Sequence, residues 1–233
     1  MMNIPVGLAP LDRLKLIHFD ANPLVPAQQE TPLKDLRKKD CYLQQCVKYP
    51  LVAVFHSYAQ FLYGLLLEAD AQVAHFIPHP FRLSAQRREY TPHCYVIDQE
   101  GQKVVDLSTN DSLSWPDRAS LDDFFHQAGI RYHVVAYDSV MARETEALNW
   151  LPIVQVLAAA RTYGLDTSRE ERDMLARLLA EPSQSLRRLV GARRAPPGSG
   201  YEVGLYRLIH QHKVSADLAH RPLDWDTEVQ LCT

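Results

Sequence analysis

The sequence predicts a mixed α/β domain followed by a mostly helical one, from three features. A leucine-rich stretch with helical spacing is followed by several short runs rich in β-branched and aromatic residues. A second helix and one more such run come next, the order of a crossover that returns a strand to a sheet. Beyond residue 142 the pattern is helical until two short extended pieces near the C-terminus. The expected division is 1–50 as an N-terminal arm or lead-in, 51–142 as the α/β domain and 143–233 as the helical domain.

Each element has its own signal. The lead-in holds Pro5, Pro10, Pro23, Pro26, Pro32 and Pro50, and proline removes a backbone donor and fixes φ, so irregular chain is expected there. Its basic run, Lys34 to Lys39, is either a phosphate contact or a solvated face. From Ser57 to Asp70, Phe61, Leu62, Leu65, Leu66 and Leu67 repeat at helical spacing. Strands are expected at Val73–Ile77, Phe81–Leu83, Tyr90–Ile97 and Lys103–Ser108, successive members of one sheet. A helix over Arg118–Ala128, ended by Gly129, leads to a strand at Tyr132–Tyr137. Helices follow at Glu146–Tyr163, Ser168–Leu179, Ser183–Val190 and Gly200–Gln211. The extended pieces Lys213–Leu218 and Trp225–Val229 resemble a β-wing, and short helices followed by a wing suggest a winged-helix domain. Leu175, Leu178, Leu179, Leu186, Leu189 and Val190 are expected to form its core.

Composition narrows the function classes. With 46% hydrophobic residues and a formal charge of −3, the chain is neither a strongly basic nucleic-acid coat nor dominated by a disordered acidic tail. No apolar run reaches the roughly 20 residues that cross a bilayer, so the expected compartment is the cytoplasm, with no membrane partner. Cys41, Cys46, Cys94 and Cys232 show no paired spacing, so they are expected as reduced thiols. His75, His79 and His93 gather near Cys94, yet no metal-binding histidine spacing accompanies them.

The informative stretch runs from Ser57 to Ser108: a helix ending Leu67-Glu68-Ala69-Asp70, the run Val73-Ala74-His75-Phe76, a Pro80-Phe81 step, then Tyr90-Thr91-Pro92-His93 and a hairpin into Val105-Asp106-Leu107-Ser108. In order and spacing this resembles the TnsA endonuclease family of heteromeric transposases. The likeness continues through Gly129-Ile130-Arg131-Tyr132, Asn149-Trp150-Leu151 and Leu205–Leu218. It implies a restriction-endonuclease-like fold followed by a winged helix. In that family the helix carries a glutamate, the first hairpin strand begins Thr-Pro-Asp and the second ends Glu-Val-Lys. The carboxylates hold Mg²⁺ or Mn²⁺ at the scissile phosphate and the lysine helps activate water.

At the matching positions this chain has Gln60, His93, and Asp106-Leu107-Ser108. An amide, an imidazole and a hydroxyl do not replace two anions and a cation around a hard metal ion, so Mg²⁺-dependent cleavage is expected to be lost and no cofactor is expected. If a metal bound at all, Asp106 and His93 would be its ligands; Glu68, Asp70 and Asp98 are the acids available as relocated ones. The resemblance implies partners: transposon-end DNA, an RNase H-type transposase subunit and an ATP-dependent transposition regulator. It implies a non-cutting pseudoenzyme that serves in assembly during DNA transposition and recombination. Two alternatives stand beside it: an active, divergent metal-dependent endonuclease cutting the 5′ ends of the element, and a stand-alone winged-helix DNA-binding regulator. Arg87, Arg88, Arg187, Arg188, Arg193 and Arg194 are the candidate DNA contacts. For the last four the competing reading is pairing with Glu170, Glu171 and Glu181.

Overall fold

The computed structural model describes residues 17–20, 24–32, 36, 40–108, 115–191 and 199–232. A hairpin of β1 (Tyr42–Gln45) and β2 (Val52–Phe55) leads into α1 (Tyr58–Ala69). The Ser57 side chain caps α1 by accepting the Gln60 N–H, which satisfies one of the donors a helix start leaves over. Phe61 to Leu67 are then buried, except half-exposed Tyr63.

The central sheet contains β3 (Val73–Pro78), β6 (Cys94–Asp98), β7 (Gly101–Ser108) and β8 (Arg131–Ala136), in that spatial order. Its first three strands are antiparallel neighbours; β8 lies parallel to β7. A parallel return requires a crossover, and α2 (Arg118–Gln127) supplies it, capped by Asp117 and ended by Gly129 at φ +73°. Alternation along β7 sends Val105 and Leu107 into the core with α1, and Val104 into a second core with Leu121 and Phe125 of α2. The mixed α/β expectation holds: a mixed sheet with helices on both faces.

Between β3 and β6 the chain makes a separate hairpin of β4 (Leu83–Ala85) and β5 (Arg88–Tyr90). The expected single strand from Tyr90 to Ile97 is therefore split, and β4 and β5 do not join the main sheet. Pro92 accounts for the break, because it has no N–H to give a ladder.

After α3 (Tyr137–Met141) and α4 (Glu144–Thr162) come α5 (Ser168–Ala180), β9 (Ser183–Ser185), α6 (Leu186–Val190), α7 (Gly200–His210), β10 (Val214–Ala216) and β11 (Glu228–Leu231). The last three strands form one antiparallel sheet with β11 in the middle. The expected helix start at Ser183 is thus corrected to a strand: Ser183 to Ser185 pair with Glu228 to Gln230. Leu179, expected in this core, is 73% exposed, whereas Met174 and Leu178 fill it.

One buried cluster contains Leu62 of α1, Val96 of β6, Ile153 of α4, Leu205 of α7 and Val229 of β11. The core therefore runs without a break past residue 142. Part of the stretch read as lead-in is also built in: Phe19 is buried beside Phe124, and Asp20 and Ser84 exchange backbone hydrogen bonds. No helix among the described residues is long and apolar enough to cross a membrane.

Candidate functional site: a histidine-lined cleft

A cleft of about 360 Å³ opens where the N-terminus of α1 meets the chain that runs from the end of β3 to the start of β6. Gln60, His93, His56 and His79 line it, with Arg82 and Thr91; residues Gln29 to Pro32 and Glu89 complete the rim. The structure thus brings Gln60 and His93, 33 positions apart in sequence (93 minus 60), into one wall.

The segment 24–32 crosses the cleft as a strap. Ala27 and Gln29 donate backbone N–H groups to the Pro80 and His79 carbonyls at 3.0 and 2.9 Å. The Gln28 amide serves the edge of β2, giving its N–H₂ to the Val52 carbonyl at 3.1 Å and accepting the Val54 N–H at 3.0 Å. Thr31 Oγ1 lies 2.6 Å from His56 Nε2, and Arg82 donates to the Glu30 carbonyl at 3.1 Å. His56 and His79 stack, with ring centroids 4.0 Å apart, and His79, which is buried, takes a φ of +47°.

Asp106 sits directly behind His93. It is fully buried, and its Oδ2 accepts from the hydroxyls of Tyr132, at 2.7 Å, and Tyr90. Its Oδ1 accepts the His93 backbone N–H at 3.1 Å and lies 2.9 Å from His93 Nδ1. Burial outweighs these bonds and raises the carboxyl to about 6, because desolvation penalises the charged form. The Leu107 N–H also reaches His93 Nδ1, at 2.9 Å. One ring nitrogen does not serve both contacts in the same way: protonated, it donates to Asp106, and unprotonated, it accepts from Leu107. In either case Nδ1 is turned inward, toward Asp106 and Leu107, while His93 is one of the residues lining the cleft. Ser108 closes β7, half-exposed, and is not among the residues lining the cleft.

These residues do not fit a Mg²⁺ site. The ion prefers several charged oxygens in near-octahedral array, whereas Asp106, the buried acid behind the cleft, has both oxygens occupied by hydrogen-bond donors, and Glu30 and Glu89 stand exposed at the rim. Among the described residues no group of three or more His, Cys, Asp or Glu side chains has metal-binding geometry. The acids considered as relocated ligands are engaged elsewhere. Glu68 accepts the Val47 and Lys48 N–H groups and meets His210; Asp70 caps Gln72; Asp98 pairs with Lys103 and Arg131.

The candidate DNA-contacting arginines are dispersed. Arg87 sits in the β4–β5 turn with φ +64°, and Arg88 lies 5.5 Å over the Trp115 ring. Arg187 meets Asp226 at 3.2 Å, and Arg188 pairs with Glu181. The pairing reading thus fits Arg188 as stated, while the partner of Arg187 is an acid on the wing side of the chain. Arg193 and Arg194 lie outside the described residues, as do most of the basic run Lys34 to Lys39. Sequence reasoning missed His56 and Arg82 as site residues and gave His79 no role. No protein-family model matches the chain, and no curated protein matches it.

Proposed function

We propose that this chain is a non-cutting, TnsA-like subunit of a heteromeric transposase that helps hold transposon ends in an assembly with an RNase H-type transposase and an ATP-dependent regulator. The observation that carries the reading is that two of the substituted positions meet at one place in the fold, beside the acid that is kept; Ser108, the third, is not among the cleft's lining residues. Gln60 and His93 share a cleft wall, and Asp106 backs His93. Element order supports a restriction-endonuclease-like core: a helix, three antiparallel strands, a crossover helix and a parallel fourth strand. The C-terminal order of helix, strand, two helices and two strands, with the last strand central, supports the winged helix. α7, which stands where a recognition helix would, spends Arg207 on Thr167 and the Leu165 carbonyl. That commitment favours a protein-assembly role over a stand-alone DNA-binding regulator.

The test is reconstitution of transposition from this chain, an RNase H-type transposase subunit and an ATP-dependent regulator. Dependence on the chain, with cointegrate products, is the expected outcome. Simple excision with these subunits alone, or full activity without the chain, overturns the proposal.

A further inference from the structure

We infer that the cleft binds a phosphate group directly, without a metal ion, because hydrogen-bond donors stand where a nuclease of this shape would present carboxylates. Gln60 is the key residue. The His56 N–H donates to Gln60 Oε1 at 2.8 Å, which fixes the amide the right way round, since only the oxygen accepts. The N–H₂ half is thereby directed away from that bond, on a side chain that lines the cleft. At the rim, Arg82 makes one hydrogen bond to the Glu30 carbonyl and, among the described residues, no ion pair, which leaves most of its guanidinium donors for an anion. Gln60 belongs to the first turn of α1, which holds no acidic residue, so that turn brings no carboxylate of its own to this wall. Thr91 and His93 complete the wall.

A carboxylate-lined site attracts a phosphate only through a bridging cation. An amide, an imidazole and a guanidinium approach its oxygens directly. Glu30 and Glu89, both exposed at the rim, oppose an anion, and this gives the site a diagnostic pair of signs. Gln60→Glu retains the acceptor for the His56 N–H and replaces only the outward donor by a charge, so it weakens binding. Glu89→Gln removes a repelling charge, so it strengthens binding. The inference requires no transposase partner, so its failure is distinguishable from failure of the assembly reading.

The experiment measures binding of a short labelled duplex DNA by fluorescence anisotropy at low salt, in EDTA and in magnesium. In parallel, inorganic phosphate is titrated while the Gln60 side-chain amide resonances are followed by NMR. Binding indifferent to EDTA is expected, with a loss of at least about tenfold for Gln60→Glu, the worth of one charge-assisted hydrogen bond. Arg82→Ala, at an exposed position that leaves folding intact, is expected to lose affinity as well. Phosphate shifting the Gln60 resonances while the duplex does not would support the site and identify its ligand as a small phosphate. Binding that requires magnesium, or that is unchanged in both Gln60→Glu and Arg82→Ala, overturns the inference.

Discussion

Among the described residues two carboxylates are wholly buried, Glu68 and Asp106, and their surroundings differ in kind. Glu68, near the C-terminal end of α1, accepts two backbone N–H groups at 2.9 Å and faces His210 of α7 at 3.0 Å. It ties the loop after β1 to two helices, one from each part of the chain. Asp106, at the end of β7, is held by two tyrosine hydroxyls and lies against an imidazole that lines a cleft. Glu68 is a fastener with no route to a ligand; Asp106 is separated from the cleft by a single side chain. A buried acid is thus assigned its role by what bonds it and by what lies beyond those bonds.

The largest expected effect breaks the fastener. Glu68→Ala leaves two backbone N–H groups and His210 without their acceptor, and the expected loss is roughly 3–5 kcal/mol by urea unfolding. Glu68→Gln keeps an acceptor for the backbone donors and is expected to lose about half as much. Equal losses would show that charge toward His210, rather than the backbone bonds, dominates.

Asp106 sharpens the contrast through pH. Its folded-state value of about 6 lies above the ordinary 3.8, so between those values the folded chain holds its proton more tightly than the unfolded chain does. The contribution is fully present below the unfolded value, declines as pH rises, and is gone above about pH 6. The difference amounts to at most about 3 kcal/mol, at about 1.4 kcal/mol per unit. Unfolding measured across pH 4 to 7 is expected to show a shallower decline for Asp106→Asn than for the wild type. Parallel curves would mean that Asp106 ionises in the fold as freely as in the unfolded chain.

The smallest effect is expected at the exposed arginines. Replacing Arg187 and Arg188 by alanine removes two solvent-facing ion pairs, and stability is expected to change by less than about 1 kcal/mol for each. A larger loss would place these pairs in a tighter role than their exposure implies.

What was legible in the sequence follows from range. The α1 leucines and the β6–β7 hairpin declare themselves through local periodicity, and Gly129 marks a helix end whose φ of +73° favours glycine. β9 was not legible: Ser183-Gln184-Ser185 has no strand signal of its own and becomes one through β11, more than forty positions away. Glu68 stood in the sequence only as an acid available as a relocated ligand, because its partner lies 142 positions later. Gln60 and His93 were found from motif order, but the stack of His56 on His79 and the reach of Arg82 to the strap depend on how α1 and β3 converge, which no local pattern encodes.

The most direct test of the cleft as a donor-lined, non-cutting site is cleavage of supercoiled and transposon-end DNA by the purified protein in Mg²⁺ or Mn²⁺. The triple variant Gln60→Glu, His93→Asp, Ser108→Lys is assayed alongside it. No cleavage by the wild type is the predicted result. Metal-dependent cutting by the wild type that disappears in Asp106→Ala would contradict it and make the protein an active nuclease.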